Sequence, residues 1–196
     1  MQLIYSTASP YARTARIVVR ELSLLNQVEE VFQHPFENPE LLITANPLCK
    51  VPCLVVDGNG LFDSQVICEY LDSLAGDKLF AEISKNWQLK TLYSLTRGIL
   101  DSCVAWQQDK MRDQSQRSEF WQQRFISSIE RGLEHFAGRL DELPKGFSAL
   151  HINLVTALEY LSFRHSEYQW QQKHPQLIDW YQKYKSRTSI TDTAPE

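Results

Sequence analysis

At 196 residues, 43% hydrophobic and 22% charged, the chain has the composition of a globular protein of one or two domains. A net charge of −4 with no basic cluster argues against DNA or RNA as a partner, and no run approaches the roughly 20 apolar residues that span a bilayer. The opening MQLIYSTASPYARTAR has no charged leader ahead of an apolar core, so no signal peptide is expected; Cys49, Cys53, Cys68 and Cys103 lack zinc or CxxC spacing, which predicts reduced thiols, a cytoplasmic location and no metal site.

Leu3 to Tyr5 reads as a first strand, broken by Ser6-Thr7-Ala8-Ser9-Pro10. Pro10 suits the first position of a helix and Ser9 its N-cap. Ala15, Val18, Val19, Leu22 and Leu25 then mark one helical face, with the helix ending near Leu25 and Arg13, Arg16 and Arg20 on its polar side. Val28 to Phe32 predicts a second strand and Pro39 to Ala45 a short helix. Cys53 to Val56 predicts a third strand, Asp57-Gly58-Asn59-Gly60 a tight hairpin, and Leu61-Phe62 the returning strand. Asp63-Ser64 opens a helix whose buried face is expected at Val66, Ile67, Tyr70, Leu71 and Leu74, and Gly76 suits its C-terminal cap.

The order βαβα followed by ββα predicts an α/β, thioredoxin-like domain over residues 1–76 with helices on both faces of its sheet. After a linker at 77–83 only helical patterns remain, which predicts an all-α bundle over 84–187. Its apolar sets are Leu92, Leu95, Ile99 and Cys103; Trp121, Phe125, Ile129, Leu133 and Phe136; and Ile152, Val155, Leu158 and Leu161, this last the expected buried centre. A final amphipathic helix is expected from Pro175 through Tyr184, and 188–196 reads as a loose polar tail.

Two features point to chemistry. Pro52 precedes a strand, so the N–H and C=O of Val51 fall outside the ladder and are open to an extended peptide; such a proline is often cis. The helix opening at Ser64 turns backbone N–H groups outward, a ready site for a carboxylate.

The ordered set NPLCKVPCLVVDGNGLFDSQVICEYL resembles the glutathione-binding half of the cytosolic glutathione S-transferases, and the following helical half extends the resemblance over essentially the whole chain. It implies that Val51 pairs with the cysteinyl backbone of glutathione and that Pro52 shapes that loop. It further implies that Ser64 holds the γ-glutamyl carboxylate, Asp63 approaches the γ-glutamyl amine and Lys50 approaches the glycyl carboxylate. Ser-Pro-Tyr with a downstream arginine resembles the serine-type bacterial members, in which the serine before the proline donates to the thiolate; Ser9 then carries the chemistry as a hydrogen-bond donor, with Ser6, Thr7 and Tyr5 as alternatives in the same loop. A glutathione thiol with a pKa near that of free cysteine, ~8.5, is mostly protonated at pH 7, so catalysis chiefly means stabilising its thiolate.

The resemblance implies a glutathione transferase acting on a small electrophile, with glutathione as co-substrate and a second copy of the chain as partner. Two other functions stay open: a non-catalytic scaffold on the same fold, and a glutathione-dependent peroxide or disulfide reductase using the same site. Trp106 and Tyr93 are candidates to line the electrophile pocket or to be core. The sequence departs from the family at Cys49, where glycine is common, and at His151, where an acid usually completes the cap begun by Ser148; a weaker cap is expected there.

Overall fold

The computed structural model describes all 196 residues, in two compact units: Met1–Ala81 with Ser186–Glu196, and Glu82–Lys185. The first is a thioredoxin-like α/β unit. Its strands are β1 (Gln2–Tyr5), β2 (Glu29–Phe32), β3 (Cys53–Val56) and β4 (Asn59–Leu61), in the order β2-β1-β3-β4. β1 runs parallel to β2 and antiparallel to β3, which runs antiparallel to β4. Side chains alternate across a strand, so the cross-strand pairs Ile4–Cys53 and Leu3–Leu54 face opposite sides, and all four residues are fully buried. Ile4 and Cys53 pack with Leu42 of α2 (Glu40–Ala45), while α1 (Pro10–Glu21) and α3 (Ser64–Leu74) pack against each other.

The hairpin turn is Asp57-Gly58, both with positive φ (48° and 79°), the two-residue form that matches strand twist. Gly60 has a different task. A Cβ there would sit 1.8 Å from the Ala45 carbonyl oxygen, so the end of α2 lies directly against β4. β4 stops at Leu61, leaving Phe62 outside the expected strand.

Three expectations need correction in this unit. α1 ends at Glu21 rather than near Leu25, because Ser23 (φ 57°) takes the left-handed position that usually marks a glycine; Leu24 N–H closes on Val19 O at 2.8 Å. The buried face of α3 is Ile67, Cys68 and Leu71, whereas Val66 and Leu74 are exposed. Arg13 and Arg16 are buried rather than solvated: Arg16 lies 4.3 Å over the Tyr5 ring and, with Arg20, pairs with Glu30 of β2 at 3.1 and 2.5 Å. Those two guanidinium groups hold the Glu30 carboxyl below its usual range against the opposing effect of burial.

The chain end is a fourth correction. Instead of a loose tail, α9 (Thr188–Thr191) packs on α1, with Ser189, Ile190 and Thr193 buried.

The second unit is all helical. α4 (Trp87–Lys110) packs against α5 (Glu119–Ala137) and α6 (Ala149–Arg164); α7 (Trp170–Lys173) and α8 (Pro175–Gln182) follow. A Cβ on Gly132 would come within 2.6 Å of Ile99, which fixes the close approach of α4 and α5. α6 is the buried centre, enclosed at every position from Ala149 to Leu158. Its cap is completed in an unexpected way: His151 Nδ1 accepts the Ser148 N–H at 3.3 Å, so an imidazole makes the reverse bond that a carboxylate usually makes.

A second histidine sets a pH dependence for this unit. His165 is buried, stacked on Trp106 at 3.9 Å, with Nε2 donating to Cys103 O at 2.9 Å and Nδ1 accepting from Lys110 at 3.1 Å. Burial, reinforced by Lys110, pushes its pKa down to about 4 against the opposing Cys103 carbonyl. The unfolded chain takes up this proton near pH 6.5 and the folded chain only near 4, so the stability is complete above 6.5 and is lost on acidification towards 4. Urea unfolding followed by tryptophan fluorescence should lose about 3 kcal/mol from this group between pH 7 and pH 4. His165→Asn should flatten that slope.

Candidate functional site

In the first unit the strand directions gather three loops at one end of the sheet. β1 ends at Tyr5 beside the start of β3, since Ile4 pairs with Cys53; β4 ends at Leu61 opposite Leu54, next along β3. The loop after β1, the loop before β3 and the loop after β4 therefore lie together. They carry Ser9, Lys50-Val51-Pro52 and Asp63-Ser64 respectively.

Ser9 caps α1, with its Oγ accepting the Ala12 N–H at 3.2 Å while its own backbone is extended (φ −84°, ψ 116°). The same hydroxyl lies 3.5 Å from the Val51 carbonyl, at the outer limit of a hydrogen bond. A donor so weakly engaged, on the positive end of a three-turn helix, is well placed to donate to an anion instead. Tyr5 is covered by Arg16 and meets Phe32 edge-on at 5.9 Å, and Ser6 is buried, its carbonyl accepting the Ser9 N–H at 3.3 Å.

Val51-Pro52 is a cis peptide, and Val51 is half-buried at the sheet end. The loop leading to it hangs on Asn46, a residue with no local pattern to mark it as functional. Asn46 is buried; its Oδ1 accepts the Leu48 N–H at 3.0 Å, its Nδ2 donates to Lys50 O at 2.9 Å, and its carbonyl accepts the Cys49 N–H at 2.8 Å. An asparagine bonding two residues ahead is an Asx turn, and Asn-Pro was the available signal for it. Cys49 has φ 49°, the region in which glycine is common and a side chain is strained, while Lys50 projects into solvent from the next position.

Asp63 caps α3 by accepting the Gln65 N–H at 2.7 Å, and the Ser64 hydroxyl lies 3.4 Å from the same carboxylate oxygen. Ser64 is nearly buried and begins the helix; Asp63 is exposed. The structure thus brings Ser9 to Val51 and Asp63 to Ser64, on three loops that share one end of the sheet. Tyr93 and Trp106, candidates for an electrophile pocket, are both core residues of the helical unit, about 5% and 4% exposed. A surface concavity of about 460 Å³ along α5 is lined by Phe120, Arg124 and Arg131 and contains none of the six candidate residues.

A four-stranded thioredoxin-like unit with a cis-proline loop, and a separate all-α unit, define the class of protein. The comparisons agree. A family model described as Glutathione S-transferase, N-terminal domain matches residues 8–74, and one described as Glutathione S-transferase, C-terminal domain matches 119–183. The chain belongs to the glutathione S-transferase family. It is similar to a glutathione transferase family member from Pseudomonas fluorescens Pf-5, solved with bound glutathione: 32% identity over 100% of this chain and 98% of that one, TM-score 0.90. It is similar to a glutathione S-transferase from Methylobacillus flagellatus KT, solved with glutathione bound: 30% identity over 100% and 99%, TM-score 0.90. A glutathione S-transferase from Methylobacterium radiotolerans JCM 2831, in complex with glutathione sulfonate, shares 29% identity over 99% of this chain and 94% of that one, TM-score 0.88. No curated protein sequence matches the chain.

Proposed function

We propose that the chain is a serine-type glutathione transferase that binds glutathione in extended form beside Val51 and stabilises its thiolate with the Ser9 hydroxyl for attack on a small electrophile. The observation that carries this reading is the Ser9 hydroxyl, on the tip of α1 and 3.5 Å from the Val51 carbonyl. In this arrangement the cysteinyl backbone pairs with Val51, whose geometry Pro52 sets. The γ-glutamyl carboxylate lies on Ser64 and the N-terminus of α3, the γ-glutamyl amine meets Asp63, and the glycyl carboxylate meets Lys50. The glutathione-bound relatives support the ligand. Residues 1–76 form the glutathione-binding domain, 77–83 the linker and 84–187 the helical domain in this reading. A homodimer in the cytoplasm completes it, supported by the exposed apolar Val66 and Leu74 on α3.

The mechanism needs no covalent enzyme intermediate. The thiol loses its proton to solvent, Ser9 donates to the sulfur anion, the helix end adds its positive potential, and sulfur bonds to the electrophilic carbon as the leaving group departs to solvent with its electron pair. Lowering the thiol pKa by two units takes about 2.7 kcal/mol, within reach of one charge-assisted hydrogen bond plus a helix end.

The test is thermal. Glutathione at millimolar concentration should raise the melting temperature, the chain should be retained on immobilised glutathione, and a chromogenic electrophile should be turned over. An unchanged melting temperature removes the reading. Lys50→Ala should weaken glutathione binding about fivefold, as expected for an exposed ion pair of about 1 kcal/mol, and the difference should shrink as salt is raised.

A further inference from the structure

Arg13 is only 2% exposed, one turn into α1, and its Nη2 donates to the Ile190 carbonyl at 3.2 Å. A guanidinium withdrawn from water is costly unless its protons are met, and here the residue that helps meet them lies 177 positions further along the chain. The grip continues down the helix. Glu21, at the last position of α1, accepts from Arg187 at 3.0 and 2.6 Å and from the Ser189 hydroxyl. The segment is itself fastened: Thr193 Oγ1 donates to Ser189 O at 2.8 Å, and Ile190 is buried. So α1 is held near its start and at its end by one strap, residues 187–193.

The start of α1 is where Ser9 sits. Arg13 N–H donates to Ser9 O at 3.0 Å and Ala12 N–H to Ser9 Oγ at 3.2 Å, so the turn that contains Arg13 is the turn that orients the Ser9 hydroxyl. A hydrogen bond to a thiolate is short and directional, and small displacements of its donor weaken it. We propose that Arg13, anchored on the Ile190 carbonyl, is a positioning residue for Ser9, and that the C-terminal strap acts on the chemistry through it. This rests on the reading of Ser9 as thiolate donor, but the strap's hold on the first turn of α1 does not.

The experiment therefore has two readouts on the full-length chain carrying Arg13→Lys, which keeps the charge and loses the planar fork, or Arg187→Gln, a milder change at an exposed position. The first readout is amide hydrogen exchange without glutathione. The Ala12 and Arg13 amides should exchange about tenfold faster in Arg13→Lys and a few-fold faster in Arg187→Gln, while Leu54 in β3 keeps its rate. Unchanged rates at Ala12 and Arg13, or equal acceleration at Leu54, overturn the proposal whatever the protein binds. The second readout is the thiolate absorbance of bound glutathione against pH. The midpoint should rise by about one unit in Arg13→Lys with the glutathione Kd at about pH 5.5, where the bound ligand is still the thiol, within threefold of wild type, and should rise no further when Arg13→Lys is added to Ser9→Ala. An additional rise in that double variant, or a Kd at about pH 5.5 weakened tenfold, also overturns it. If wild type fails to bind glutathione while the first readout holds, the transferase reading falls and the strap's hold on the Ser9 turn stands.

Discussion

Replacing Ser9 by alanine is expected to raise the pKa of bound glutathione by about two units, from near 6.5 towards the free value of ~8.5. The consequence for turnover depends on pH. At pH 6 the thiolate fraction falls from about a quarter to about three in a thousand, roughly 80-fold. A more basic thiolate is intrinsically more nucleophilic, with a Brønsted slope near 0.4–0.5, which returns about eightfold. The net loss in kcat at pH 6 should be about tenfold; it should close at about pH 7.6, and by pH 9, where both sites hold mostly thiolate, the alanine variant should be about sixfold the faster. A deficit that stays constant from pH 6 to pH 9 would mean that Ser9 acts otherwise than on ionisation. Because Ser9 also caps α1, alanine should cost about 1 kcal/mol of stability. Ser9→Gly separates the roles: glycine is tolerated at an N-cap at a cost of a few tenths of a kcal/mol, yet it supplies no donor. Its pH profile should follow alanine while its stability follows wild type.

Most of the candidate site was legible because its residues announce themselves through local backbone chemistry. Ser9-Pro10, Val51-Pro52 and Asp63-Ser64 are caps and breaks whose meaning lies within a few residues, and the sheet order follows from a hairpin and short connections. What escaped depends on partners far along the chain. The three arginines of α1 repeat at helical spacing and look like a solvated stripe; only the return of the chain end and the placement of Glu30 bury Arg13 and Arg16 and half-bury Arg20. The tail is polar by composition, yet three of its residues are buried because α1 offers Arg13 and Glu21 as partners. The face of α3 was misjudged because Cys68, small and unremarkable in sequence, packs inward while Val66 and Leu74 do not. Ser23 concealed the end of α1 by taking a left-handed position that usually advertises itself with glycine.

Asp72 went unnoticed for the same reason, and its removal should have the largest effect on stability. It sits in the last turn of α3, 1% exposed, where composition alone reads it as a surface acid. Its backbone carbonyl accepts the Asp77 N–H at 3.0 Å, closing the turn at Gly76, whose φ is 86°. Its carboxylate then receives the next three amides: Lys78 at 2.9 Å and Leu79 at 2.8 Å on Oδ1, and Phe80 at 2.9 Å on Oδ2. One side chain thus satisfies the backbone of the segment that leaves α3, including the amides of the buried Leu79 and Phe80. Asp72→Ala orphans three donors and should cost about 3–5 kcal/mol, since each buried amide left unpaired costs about 1–3 kcal/mol and water reaches the outermost. Asp72→Asn keeps the oxygen that serves Lys78 and Leu79 but sets an amide donor against the Phe80 N–H, and should cost about 1–2 kcal/mol. For a chain of this size those losses correspond to roughly 10 °C and 4 °C in melting temperature. All five tryptophans lie between residues 87 and 180, in the helical unit, so fluorescence is the wrong probe for this change. Thermal melts by far-ultraviolet circular dichroism, backed by amide exchange at Leu79 and Phe80, carry the measurement. An alanine variant that melts within 2 °C of wild type would show that water satisfies these amides as well as the carboxylate does.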